Sequence, residues 1–170
     1  MFKPKKSLGQ NFLIDNNIVN KILKLAEIRN SNIVEIGPGT GNLTKKIIEL
    51  KPKNLILIEK DKILASNLKN ELEKHSNIKF FNDDILKFDL ENKIKKNSII
   101  VGNLPYNISS QILVKLIKFK KWLPKYNKLI LMFQKEVADR ILAKYNTTNY
   151  GRLTILTATR LKITNHFNVS

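Results

Sequence analysis

Apolar residues recur along the chain with two periods that take turns. Ile18, Ile22 and Leu25 repeat at helical spacing behind Asp15, a residue suited to cap a helix running through Ala26. Ile33-Val34-Glu35-Ile36 reads as a short strand, and Leu43, Ile47 and Leu50 put one apolar face on a helix over 41–50. The alternation continues with strand 54–58, helix 62–74, strand 78–81, strand 98–102, helix 109–120, strand 128–133 and helix 135–144. Strands alternating with helices predict an α/β fold built on a parallel sheet. Residues 85–97 mix acidic and basic positions without a period and read as loop, and 153–161 is ambiguous. No internal repeat, low-complexity tract or linker interrupts the pattern. A chain of 170 residues is about one domain, with enough material for a core.

The polar residues that matter sit where the strands end. Gly37-Pro38-Gly39-Thr40-Gly41 follows the first strand and opens a helix, an arrangement that lets a cofactor approach the backbone closely. Asn42 stands where the third glycine of a dinucleotide fingerprint would fall, which weakens a nicotinamide reading. The second strand ends in Glu59, 22 residues after Gly37, close to the ~20 expected for a carboxylate that binds ribose hydroxyls. The third ends in Asn82-Asp83-Asp84, where a carboxylate can accept a hydrogen bond from an adenine amino group.

The fourth strand end carries the most specific chemistry. Asn103-Leu104-Pro105-Tyr106 closes the apolar run Ser98–Gly102. The exocyclic nitrogen of adenine is a poor nucleophile, because its lone pair is delocalised into the ring. Two acceptors gripping its two N–H bonds favour a tetrahedral nitrogen, and the Asn103 side-chain oxygen and the Leu104 carbonyl are such a pair. Pro105 restricts Leu104 to extended conformations, and Tyr106 offers a face on which a base can stack, typically worth about 1–3 kcal/mol. The same four residues also suit an ordinary strand-to-helix turn.

Gln10-Asn11-Phe12-Leu13, Glu35–Gly41, Asn103–Ser109, Gln134-Lys135-Glu136-Val137 and Tyr150-Gly151-Arg152-Leu153 together resemble the ribosomal RNA adenine N6-dimethyltransferases, in family order and over nearly the whole chain. The Asn-Leu-Pro-Tyr spelling is closer to the small-subunit rRNA branch than to the macrolide-resistance branch, which usually reads Asn-Ile-Pro-Tyr. The resemblance implies a class I, Rossmann-like fold and S-adenosyl-L-methionine as methyl donor. It implies that Asn11 and Leu13 cover the methionine end of the donor. Gly37 and Gly39 would lie against it, Glu59 would take its ribose, Asp84 its adenine amino group, and Asn103 would link the donor to the target base. It makes 153–161 a helix and 163–169 a further strand. The family continues with a Phe-x-Pro-x-Pro-Lys-Val segment, a last antiparallel strand and a small helical domain. This sequence stops at Ser170, so the expectation is a catalytic domain over 1–170 whose sixth strand lacks a neighbour. Two other readings of the same fold are an RNA-binding assembly factor without catalysis and a methyltransferase for DNA adenine or protein glutamine. Leu104, in place of the first proline of Asn-Pro-Pro-Tyr motifs, disfavours the last.

Composition changes this picture little. The chain carries 31 Lys+Arg against 14 Asp+Glu, a formal charge of +17, which permits a polyanionic partner such as ribosomal RNA. Only four of the basic residues are arginine, and the Lys and Asn enrichment is also what an AT-rich genome produces. A lysine cluster over 115–128 follows the Asn-Leu-Pro-Tyr strand and is expected to flank the entrance for a base. With no cysteine there is neither disulfide nor thiolate metal site, and His75 and His166 are isolated. No apolar run approaches the ~20 residues that span a bilayer, so a cytoplasmic protein is expected; a monomer is expected as well.

Overall fold

The computed structural model describes residues 15–121 and 123–169. Its strands are β1 (Asn32–Ile36), β2 (Asn54–Glu59), β3 (Ile78–Asn82), β4 (Ser98–Asn103) and β5 (Tyr126–Met132). They form one sheet in the order β3-β2-β1-β4-β5, with every neighbouring pair parallel. The helices are α1 (Asn16–Leu23), α2 (Asn42–Glu49), α3 (Lys62–Leu72), α4 (Leu90–Lys93), α5 (Ser109–Ile117), α6 (Lys135–Leu142) and α7 (Arg152–Arg160).

The strands are apolar on both faces because both faces are covered. Ile33, Leu55, Leu57, Ile99 and Val101 pack against Val19 and Ile22 of α1, Leu43 and Ile47 of α2 and Leu68 of α3. The alternate positions Val34, Ile36, Ile56, Ile58 and Ile100 pack against Leu90 of α4 and Ile112 and Leu116 of α5. The strand order reverses between β1 and β4, and in such sheets the crevice beyond the carboxyl ends of the strands at that reversal is where ligands bind.

Local chemistry sets the element ends. Asp15 accepts from the Asn17 N–H at 2.7 Å and starts α1, and Asp61 accepts from the Ile63 N–H at 2.9 Å and starts α3. The helices end earlier than their periodicity suggests. Leu50 falls past the end of α2 and is 42% exposed, whereas Leu43 and Ile47 are buried. The stretch 85–97, expected as loop, contains the single turn α4, because Asp89 caps it and Leu90 and Ile94 fill the core. Residues 152–160 are helical, as the resemblance implied.

One expectation fails. Residues 163–169 form no strand. A strand exists through its ladder of hydrogen bonds to a neighbour, and among the described residues 163–169 has none. The outer edge of β5 instead borders an open groove of about 1770 Å³, with Leu129, Ile130, Leu131 and Met132 on one wall and the 161–169 segment on another. Among the described residues no helix is long and apolar enough to cross a membrane.

Candidate active site

The first glycine turn is built by left-handed backbone. Gly37, Gly39 and Gly41 have φ of +68°, +59° and +83°. The requirement is strictest at Gly41, where a Cβ would run into Leu68 Cδ2 on α3. The turn is tied to β2 by the Gly37 N–H, which donates to the Ile58 carbonyl at 2.9 Å.

Glu59 closes the same turn from the end of β2. One carboxylate oxygen accepts the Gly39 N–H at 3.0 Å and the other the Asp61 N–H at 2.8 Å. Burial pushes the Glu59 carboxyl up, and these backbone donors pull it back down. A carboxylate has about four lone-pair sites, so acceptor capacity remains for a ligand hydroxyl. The Glu59 backbone carbonyl in turn accepts from the Asn82 side chain at 2.8 Å and the Asp83 N–H at 3.1 Å, which ties the β2 end to the β3 end.

Asp84 begins the turn after β3. It accepts from the Leu86 N–H at 2.9 Å and from Lys60 Nζ at 2.9 Å. The Lys60 ammonium beside it holds its carboxyl below the usual range. Asp84 thus caps the turn after β3 while standing at the strand end. Lys115 of α5 reaches across the same turn and donates to the Leu86 and Phe88 carbonyls at 2.9 and 2.8 Å.

Asn103 ends β4 opposite Met132, half-buried. Its backbone oxygen lies 3.8 Å from where a Cβ on Gly37 would sit, and Pro105 Cδ lies 4.0 Å from that point. Gly102 makes this approach possible: a Cβ there would come within 2.9 Å of the Ile36 carbonyl oxygen and of Leu104 Cδ2. The Leu104 side chain is buried and anchors the motif. The Ile108 N–H donates to the Pro105 carbonyl at 3.2 Å, so 105–108 is a closed turn leading into α5. Asn103 and Tyr106 line one end of the groove beside β5.

The structure thus gathers Gly37, Gly39, Glu59, Asp84, Asn103, Leu104, Pro105 and Tyr106 along one edge of the sheet. Asn11 and Leu13 lie outside the described residues. Glu35 was absent from the sequence-derived set. It points to the α2 side of β1, is 2% exposed and accepts from the Thr44 hydroxyl at 2.8 Å. Burial raises its carboxyl to about 8, although the Thr44 hydrogen bond lowers it. The signal was present in the sequence, since a carboxylate inside an apolar strand has to be buried. Lys115 had none, because its partners are 27 and 29 residues away.

The lysine cluster is a correction. Lys118, Lys120, Lys121 and Lys125 follow α5 back to the opposite edge of the sheet, where the Ser98 N–H donates to the Lys125 carbonyl at 3.1 Å. Five strand steps from Ser98 to Asn103, at about 3.3 Å each, put them some 16 Å from the Asn103–Tyr106 turn. A parallel connection must return its helix to the start of the next strand, and the cluster travels with it.

A model of the ribosomal RNA adenine dimethylase family matches residues 1–165. This chain belongs to that family. Family relatives named ribosomal RNA small subunit methyltransferase A are 48% identical over 164 residues in Pelagibacter ubique, covering 95% of this chain and 61% of the relative, and 41% identical over 174 residues in a Wolbachia strain from Drosophila simulans, covering 99% and 62%. The chain therefore spans about three-fifths of the length of these relatives. Among solved structures it is similar to a dimethyladenosine transferase from Plasmodium falciparum, with a TM-score of 0.75 and 37% identity over 87% of this chain and 52% of that one. It is also similar to a 23S rRNA methyltransferase, with a TM-score of 0.71 and 29% identity over 87% and 57%. The fold is that of class I S-adenosylmethionine-dependent methyltransferases, as the family resemblance implied.

Proposed function

We propose that the chain is the donor-binding, catalytic part of an enzyme that dimethylates adenine N6 in small-subunit ribosomal RNA, acting in the cytoplasm, as a monomer, on a pre-ribosomal particle. What supports this most is the contact between the two turns: the space beside Gly37 is bounded by Asn103 and Pro105 at 3.8 and 4.0 Å. A donor bedded on the glycine turn and a base held by Asn103 would then be neighbours. The residues suit S-adenosyl-L-methionine on the chemistry of their groups: a backbone cradle without side chains at 37–41, and carboxylates at the next two strand ends.

Bound there, that cofactor supplies an electrophilic methyl group. The protein's part is positioning. Asn103 Oδ1 and the Leu104 carbonyl accept the two N6 hydrogens of an adenine stacked on Tyr106, and so turn the nitrogen lone pair toward the glycine turn. The adenine has to leave its RNA stack first, at a cost of a few kcal/mol. Glu59 holds the ribose of the donor while keeping the Gly39 N–H in place. Positioning of this kind is worth up to about 7–11 kcal/mol of a barrier.

The test is transfer of labelled methyl from S-adenosyl-L-methionine to small-subunit rRNA that lacks the modification, read as dimethyladenine by mass spectrometry. Label on adenine N6 is the expected result. A protein that binds the donor but labels no RNA, free or assembled with ribosomal proteins, would overturn the proposal.

A further inference from the structure

The two edges of the sheet differ in charge far more than a lysine-rich composition requires. On the edge that holds the site, loops 37–41, 60–61, 83–89, 104–108 and 133–134 carry two Lys/Arg and four Asp/Glu. On the opposite edge, loops 24–31, 50–53, 73–77, 94–97 and 118–125 carry eleven Lys/Arg and two Asp/Glu. A genomic bias toward lysine codons would scatter charge over both.

The basic loops form one surface. The Asn32 side chain donates to the Lys96 carbonyl at 3.2 Å, Lys95 Nζ donates to Asn54 Oδ1 at 2.9 Å, and the Lys53 N–H donates to the Ser31 carbonyl at 2.9 Å. Lys51, Lys53, Lys95, Lys96, Lys120 and Lys121 are all exposed. Among the described residues none of these six lysines is in a salt bridge; the ion pairs join Lys45, Lys46, Lys60 and Lys135 to their carboxylates, all elsewhere, and Glu91 alone acts on the charges of Lys120 and Lys121. Glu91, the carboxylate nearest the 118–125 loop, commits its two oxygens to the Lys120 and Lys121 backbone N–H groups at 3.0 and 2.7 Å. Helix ends account for only part of the pattern. A lysine in the last turn of a helix complements its dipole, but Lys95 and Lys96 follow a single-turn helix and Lys120 and Lys121 lie beyond the end of α5.

We infer that this lysine-rich edge, opposite the base-holding site, is a second RNA contact that grips phosphates of a helix other than the one offering the adenine. The inference rests on the proposed RNA substrate. Among the described residues the five loops counted beside the site are net acidic, so the field that attracts a polyanion is stronger at the opposite edge. Across five strands spaced about 4.8 Å apart the patch spans roughly 19 Å, the length of five or six phosphates along one strand. The asparagines and serines between the lysines offer neutral donors for the same backbone.

The experiment compares two variants of equal charge. One replaces Lys95, Lys96, Lys120 and Lys121 by Gln. The other replaces Lys45, Lys62, Lys69 and Lys79, on α2, α3 and β3, by Gln. The expected result is a loss of affinity for a duplex-bearing small-subunit rRNA fragment of about tenfold or more at 0.1 M salt in the first variant. The slope of log K against log salt should fall by about 3, with a much smaller change in the second variant. Binding of S-adenosyl-L-methionine, read by calorimetry, should be unchanged in both. Equal losses in the two variants would overturn the inference. So would unchanged RNA binding in the first variant combined with weaker adhesion to phosphatidylcholine–phosphatidylserine vesicles. A selective loss of RNA binding in a protein that shows no methyl transfer would uphold the inference and sink the proposed reaction instead.

Discussion

The two ends of this sheet are made from the same strands but are built differently. At the carboxyl ends the chain is closely constrained: left-handed glycines, a glutamate clamped on two backbone donors, and a proline turn set against Gly37. At the amino ends the links are short, polar and lysine-rich, and their hydrogen bonds go mostly to neutral groups. Precision belongs where bonds are made; a long-range field belongs where a large ligand is only held. A parallel sheet allows the separation because all its strands point the same way.

The contrast can be tested most sharply at Asn103. Replacing it by Ala should lower turnover by about a hundredfold or more, the scale for removing one aligned polar group from a reacting centre. Donor affinity should stay within a fewfold. Single-turnover kinetics with calorimetry separates the two, and equal losses in both would mean that Asn103 only shapes the donor site. Gly41→Ala comes next. It forces a Cβ into Leu68 at φ +83° and should cost roughly 2–4 kcal/mol of unfolding free energy by denaturant titration. An Ala at Lys53 on the opposite edge should cost almost nothing.

A pH series probes the buried carboxyls. Glu35 rises from an ordinary 4.5 to about 8 in the folded chain, so the native state keeps a proton there that the unfolded state gives up. Stability contributed by Glu35 is complete below pH 4.5 and declines as pH climbs to about 8, with a slope approaching about 1.4 kcal/mol per pH unit. Glu59 shifts in the same direction. Glu35→Gln should flatten the fall in Tm between pH 5 and 8 without abolishing it, and an unaltered profile would mean that Glu35 is not the group titrating. A smaller kinetic effect than at Asn103 is expected at Lys115, a positioning residue. Lys115→Met frees the Leu86 and Phe88 carbonyls and should raise the KM for the donor severalfold while leaving kcat near its original value. A fall in kcat instead would place Lys115 nearer the chemistry than its contacts suggest.

What could be read in advance was what depends on neighbours in sequence. Leu55-Ile56-Leu57-Ile58 announces a strand covered on both faces, and Gly37 and Glu59 announce where two such strands end. Glu35 was as legible, but it was read as one more strand position. What stayed hidden depends on partners distant along the chain. The turn α4 forms because Leu90 and Ile94 fill a gap beneath β4 and α5. The segment 163–169 was expected as a strand from the resemblance alone, and among the described residues no neighbour supplies its ladder. The lysines after α5 looked close to Asn103 because sequence distance hides the return path of a parallel crossover.

Gly102 carries a consequence for how such a sequence can drift. The gap between the 37–41 turn and the 103–106 turn is set there by an omitted side chain, since even a methyl group would press on the Ile36 carbonyl and on Leu104. Any replacement must be matched by changes on β1 or at 104, or the two halves of the reaction move apart together. On the proposed reaction, exchanging the smallest residue for the next smallest at 102 would therefore be expected to change turnover without touching a reacting atom.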